Sequence, residues 1–355
     1  MTEPVLGVAI VSFTSGDVIL DCLESMLAQT GIRTKIVICE NASPDDTSDV
    51  IRNWAAGTDG YEIPDDIPFA LPKSPKPLNL VEFDASEARG PEGDVTLVHA
   101  GVNGGFAAGV NRCIEVLARD PEVTHYWIIN PDSVATPETG AAFGKEVTER
   151  PDFALMGGRV CYMDPPDQIQ IDGGTVNLWT GVSGNIHLGE SHANTPAPDE
   201  ADVDFIVGAS IIVPRAFVEK TGPMTEDYFL YYEEVDWAFR RGTLPLLYCK
   251  EALVYHRAGT AIGSPTLERV SSPFSMYFKN RGRMKFLRRF NPKALPVAWA
   301  FSMGKAAQAV LKGAPDSAWA AIAGIHGFPP PKAVKSRLSP EAAKIAFGRS
   351  QMAEK

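Results

Sequence analysis

The sequence predicts an α/β fold: a mostly parallel sheet covered by helices, extended at the carboxyl end by further helices. Two observations predict the sheet, and a third the extension. Apolar runs alternate with amphipathic helical patterns through the first half, as in strand–helix–strand crossovers. Each run ends in polar or glycine-rich residues, where a parallel sheet presents its ligand-binding edge. After residue 263 the chain becomes a succession of basic, amphipathic helical segments.

The elements follow in order. Strands are expected at residues 6–13, 35–39, 95–99 and 125–129, with helices at 18–29, 45–56 and 106–119 between them. The first helix is typical, because Ile19, Cys22, Leu23, Met26 and Leu27 recur at helical spacing and form one core-facing stripe. Between 57 and 93, prolines at 64, 68, 72, 75, 77 and 91 remove ladder donors and stop helices, so this stretch is expected as a surface insertion. From 154 to 256 the pattern is mixed, with glycine-rich turns around Gly173 and Gly181–Gly189, a strand at 205–213 and a helix through 233–240. Helices at 267–290 and 295–311, a triple-proline break at 329–331 and a short terminal helix complete the chain. The expected division is a ligand-binding half at 1–135, a second half at 136–265 that completes the site, and a basic helical extension at 266–355.

Composition narrows the function. With 355 residues and 45% hydrophobic content the chain can bury a large core, so disorder is not the expectation. Five scattered cysteines without C-x-x-C spacing suggest neither a disulfide framework nor a zinc knuckle, and fit a reducing cytoplasm. The amino terminus lacks a positive leader, and its first apolar run is too short to span a bilayer, so the expectation is a soluble cytoplasmic protein. From Arg269 onward there are 16 Lys/Arg against three acidic residues, a charge of +13, while residues 1–268 carry −24. That acidic body argues against nucleic-acid binding. The basic tail suits either a solvated helix face or an anionic surface such as the inner face of the plasma membrane.

The candidate chemistry sits at the ends of the runs. Ser12 and Phe13 close the first strand, and Glu40 and Asn41 follow the second, where a carboxylate can accept hydrogen bonds from a base or ribose. Asn41-Ala-Ser-Pro-Asp also reads as a helix start, with Ser43 as cap and Pro44 at the first position. Gly101 to Gly109, which includes Gly105, follows the third strand and opens the helix that carries Asn111. Its spacing does not match G-x-G-x-x-G, which disfavours a nicotinamide-dependent oxidoreductase. Asn130-Pro131-Asp132 ends the fourth strand, leaving a carboxylate at the sheet rim that can hold a hard divalent cation, or serve as a plain turn residue. Glu233, Glu234 and Asp236 cluster among aromatics at a helix amino end, where neighbouring charges shift pKa values and a general base can arise, or where acidic residues simply stabilise the first turn. His256 ends a further apolar run and, taken alone, reads as a packed histidine.

Taken together and in order, Ser-Phe-Thr-Ser, Glu-Asn-Ala-Ser, Asn-Gly-Gly-Phe-Ala-Ala-Gly-Val-Asn, Asn-Pro-Asp-Ser, Phe-Leu-Tyr-Tyr-Glu-Glu-Val-Asp and Tyr-His-Arg resemble glycosyltransferase family 2. More narrowly they resemble its bacterial rhamnosyltransferase-like branch, over roughly residues 5–290. The resemblance implies the Rossmann-like A-type glycosyltransferase fold, a nucleotide-sugar donor (dTDP- or UDP-linked), a divalent metal (Mg²⁺ or Mn²⁺) and inversion at the anomeric carbon. It implies a glycan or lipid-linked acceptor, with L-rhamnose from dTDP-rhamnose as the favoured transfer and UDP-linked hexosamine, galactose or galactofuranose as the alternatives. By the same carry-over, Asp132 and His256 are metal ligands. Ser12, Phe13, Glu40, Asn41, Gly105, Asn111, Asn130 and Asp236 are substrate contacts, and Glu234 is the base, with Glu233 its competitor. Glu40 and Glu234 stand where the family commonly has aspartate, each adding a methylene of reach. A nucleotide-sugar-binding protein without catalysis is the alternative from another class.

Overall fold

The computed structural model describes residues 4–58, 60–257 and 272–348. The first half supplies β1 (Val5–Ser12), α1 (Ile19–Leu27), β2 (Arg33–Glu40), α2 (Thr47–Ala56), β3 (Leu80–Asp84), β4 (Val95–His99), α3 (Phe106–Leu117) and β5 (Val123–Ile129). The second supplies β6 (Ser133–Ala135), α4 (Thr139–Glu149), β7 (Leu155–Tyr162), β8 (Ile169–Ile171), β9 (Gly174–Val176), β10 (Ser183–Asn185), β11 (Ser210–Pro214), α5 (Arg215–Thr221), α6 (Glu233–Phe239) and β12 (Leu246–His256). The extension is α7 (Pro273–Phe290), α8 (Leu295–Leu311), α9 (Pro315–His326), α10 (Lys332–Lys335) and α11 (Pro340–Phe347).

One sheet crosses both halves in the order β3-β4-β2-β1-β5-β11-β7-β12-β6. It is parallel from β3 to β5 and again between β7 and β12, while β11 is antiparallel to both neighbours. Every residue of β1 is buried, because Leu6, Val8 and Ile10 face the α1–α2 layer while Ala9 and Val11 face α3. Coverage of both faces is what a continuous apolar strand requires. α3 lies unusually close, since a Cβ on Gly109 would come within 2.5 Å of Val11.

Four expectations change. The proline-rich stretch is more than a surface insertion: its end forms β3, pairing in parallel with β4 at the sheet edge, and Ile67 and Leu71 pack against Val134 and Tyr255 of the second half. It is pinned by the fully buried carboxylate of Glu24, which accepts from Trp54 Nε1 (2.8 Å), Ser74 N (2.7 Å) and Lys76 Nζ (2.8 Å). α2 begins at Thr47 instead of at Pro44, because Ser43 is drawn away: its hydroxyl accepts from Thr14 N at 3.0 Å. The strand expected at 205–213 narrows to β11, with Phe205 making an isolated bridge to Gly174. The helix expected at 267–290 starts at Pro273, capped by Ser272, whose hydroxyl accepts from Ser275 N. Residues 267–271, with the Arg269 that opens the basic segment, lie outside the described residues.

Candidate active site

At the carboxyl ends of β1, β2 and β5 lies a cavity of about 840 Å³, a size that suits a nucleotide-sized ligand. Phe13, Asn41, Gly105, Asn130, Asp132, Glu233, Glu234 and His256 all line it. Residues more than two hundred positions apart therefore meet on one surface. Sheet register brings Asp132 and His256 together, because β12 pairs antiparallel with β6 and sets His256 opposite Ser133. His256 Nε2 then stands 3.0 Å from Asp132 Oδ1, while its Nδ1 is 2.7 Å from Gln170 Oε1. With the proton on Nδ1 donated to Gln170, the Nε2 lone pair and the carboxylate face the same point. Asn130 Nδ2 lies 3.5 Å from the same Nε2. A carboxylate and a neutral imidazole converging in this way fit a divalent cation such as Mn²⁺, and an ordered partner on the far ring nitrogen is the usual support for a ligating histidine.

On another wall stands the acidic pair. Glu233 is buried with Oε2 lacking any protein partner. Burial, reinforced by the charge of Glu234, pushes its carboxyl well above the usual range. Glu234 is half-buried; burial pushes it up to about 7, opposed by the charge of Lys279. Lys279 itself is lowered by burial to about 8 and sits 4.8 Å from the Tyr231 ring centre.

The segment before this pair is strained. Phe229, Tyr231 and Tyr232 all have positive φ (65°, 65° and 74°), a region that residues with a Cβ rarely occupy. Contacts from three directions hold it. Phe106 N donates to Phe229 O at 3.0 Å, Tyr231 Oη lies 3.0 Å from Ser275 Oγ, and Tyr232 Oη donates to Gly181 O at 2.6 Å. Gly105 (φ 89°) makes the first contact sterically feasible, since a Cβ there would fall 2.2 Å from Phe229 O. The glycine thus admits the chain's own backbone while also lining the cavity.

Other sequence candidates lie off the cavity lining. Ser12 is wholly buried with its Oγ unpartnered. Glu40 Oε1 accepts from Ser43 N at 2.5 Å, shaping the loop after β2. Asn111 ties α3 to the segment before the acidic pair, bonding Met224 N, Met224 O and Glu226. Asp236 is enclosed by Arg240, Arg289, Thr225 and Tyr228. Asn41 has both functions, lining the cavity while bridging to Asn103, Gly104 and Gly105 O. Conversely, sequence reasoning missed Gln170, Ser183, Asn185, Lys279 and Arg337, which all line the cavity. A further trio of candidate metal ligands, Glu146, Cys249 and Glu251, clusters away from it. There Glu146 is bound by Arg150 at 2.7 Å, and burial pushes the Cys249 thiol up to about 12, so no thiolate is offered.

Comparison with known proteins bears on the fold. The model of the family described as Glycosyl transferase family 2 matches residues 7–64. No curated protein matches the chain. Among solved structures, GalNAc-T7 with UDP, GalNAc and Mn²⁺ is similar at a TM-score of 0.54 and 10% identity, covering 86% of this chain and 51% of that one. This chain thus spans about half the length of that protein. A mannosyltransferase from Pyrobaculum calidifontis with GDP-Man and Mn²⁺ is similar at a TM-score of 0.49 and 12% identity, covering 94% and 78% of the two chains.

Proposed function

We propose that this chain, which has the A-type glycosyltransferase fold and a family 2 glycosyltransferase segment at residues 7–64, is an inverting, metal-dependent glycosyltransferase. Its donor is a nucleotide-sugar, dTDP-L-rhamnose in our reading, and its acceptor a hydroxyl of a surface glycan or lipid-linked glycan. One observation carries the reading: a single cavity holds a converging carboxylate and imidazole on one wall and a desolvated glutamate pair on another.

A sugar hydroxyl is a weak nucleophile at neutral pH, so a positioned carboxylate must take its proton as it attacks. Glu234 fills that role because it is half-buried, and so reachable, with its pKa brought near 7. The acceptor oxygen bonds to the anomeric carbon, the bond from that carbon to the diphosphate oxygen breaks, and the hydroxyl proton ends on Glu234. One displacement inverts the configuration. Glu233 lies deeper, with burial and the charge of Glu234 pushing its carboxyl well above the usual range, which disfavours a second charge beside its neighbour. Asp132 and His256 would hold a Mn²⁺ or Mg²⁺ ion, whose contribution is to neutralise charge on the departing nucleoside diphosphate. Phe13, Asn41 and Asn130 line the same cavity and would contact the donor.

A thermal-shift screen of nucleotide-sugars with and without Mn²⁺ tests this reading. The expected result is a metal-dependent rise in Tm with dTDP-rhamnose. A rise with a UDP-sugar instead would replace the donor, and no rise with any donor would remove the reading.

A further inference from the structure

α8 has the composition of a buried helix and the surroundings of an exposed one. Its 17 residues include one charged side chain, Lys305, yet it buries only Ala298, Ser302 and Ala306 against the protein. A helix that is apolar on nearly every side is normally enclosed by protein or lipid. Here the outer side stays open: Trp299 and Phe301 project near the start, and Val310 and Leu311, the latter 87% exposed, at the end. α9 continues the surface with Trp319, and Phe328 follows it, stacked on His326 at 5.0 Å, while His326 accepts from Trp299 Nε1 at 3.0 Å. Eight of the eleven exposed large apolar side chains among the described residues lie between Val297 and Ile345, so the apolar surface is concentrated here. An area of this kind marks an interaction site.

Charge selects the occupant. The same region carries the basic excess, and within it Lys293, Lys305 and Lys312 are exposed beside the apolar side chains. A second copy of the chain would bring the same positive charge to the contact, whereas an anionic bilayer complements it. No helix among the described residues is long and apolar enough to cross a membrane. We infer that the outer face of α8 and α9 docks on an anionic lipid surface, with the aromatic and aliphatic side chains entering the headgroup region and the lysines contacting acidic headgroups. The inference deepens the proposed lipid-linked acceptor, because α7, which supplies Lys279 to the cavity, packs directly on α9.

Flotation of the full chain with vesicles of phosphatidylcholine, alone or mixed with phosphatidylglycerol, tests it without any donor or acceptor, so the outcome is independent of whether transfer is observed. The chain is expected to float with the anionic vesicles and to be released by salt. Leu311→Asp combined with Trp319→Ser, both at exposed positions, is expected to weaken flotation at least about tenfold. Lys305→Gln with Lys312→Gln is expected to weaken it by roughly fivefold per lysine at low salt. No flotation, or flotation that neither pair of substitutions alters, would overturn the inference. So would a concentration-dependent dimer in sedimentation that Leu311→Asp dissociates without any lipid binding, which would assign the face to a second copy.

Discussion

The two walls of the cavity are built by different means. Asp132 and His256 stand on relaxed backbone, placed by the β12–β6 ladder and the end of β5. Glu233 and Glu234 follow three residues at positive φ and depend on α3, the β9–β10 turn and α7 to hold that conformation. The difference matches the demands on each wall. In the proposed reading Asp132 and His256 need only converge on an ion, which sheet register accomplishes. A carboxylate raised toward pH 7 has to be kept out of water, which requires packing from several elements and a strained approach.

That contrast can be broken in several places, and the largest expected effect is at Glu234. Glu234→Gln should reduce kcat by about 10²–10⁴ while leaving donor affinity intact, and Glu233→Gln should cost less; wild-type turnover in Glu234→Gln would transfer the role of base to Glu233. Next comes Gly105→Ala, which sets a Cβ against Phe229 O at positive φ. It should destabilise the protein by about 3 kcal/mol, seen as a lowered Tm, and an unchanged Tm would show that the strained segment is not clamped from this side. A third effect is in the pH profile. If Glu234 is the base it must be ionised to act, and with its pKa pushed up to about 7 kcat/KM should fall as the pH drops through that value. Lys279→Met, by removing the neighbouring positive charge, should move the acidic limb to higher pH; a limb that stays in place would dissociate Lys279 from the base. The smallest is Tyr232→Phe, which deletes the bond to Gly181 O and should cost about 1 kcal/mol in denaturant unfolding.

The same contrast explains what the sequence revealed. Phe13, Asn41, Asn130 and Asp132 were legible because each follows an apolar run, and strand ends define the binding edge of a parallel sheet, whereas Ser12 and Glu40, read by the same rule, lie off the cavity. β1, β2, β4, β5 and α8 were legible for the same local reason. β3 was hidden by the prolines around it, although they fall before and after its five residues and leave the edge pairing intact. The start of α2 was misplaced because Ser43 bonds Thr14, 29 residues away, in preference to its own helix. Lys279 and Arg337 appeared only as members of a basic run. Lys279 reaches the cavity on α7, which packs over the 229–232 segment, and Arg337, just after α10, reaches it by lying against Phe274 of α7; no spacing or composition marks either. The glutamate pair was legible as residues, but the strain before it and the identity of its cationic neighbour were not.

In the proposed reading donor binding rests on the wall of Asp132 and His256, and calorimetry of a nucleoside diphosphate with and without Mn²⁺ measures that directly. We expect Mn²⁺ to tighten binding to the wild-type chain, and Asp132→Ala to lose that metal-dependent gain while its Tm stays near wild type. An Asp132→Ala variant that binds the nucleotide with the full Mn²⁺-dependent affinity would contradict the account.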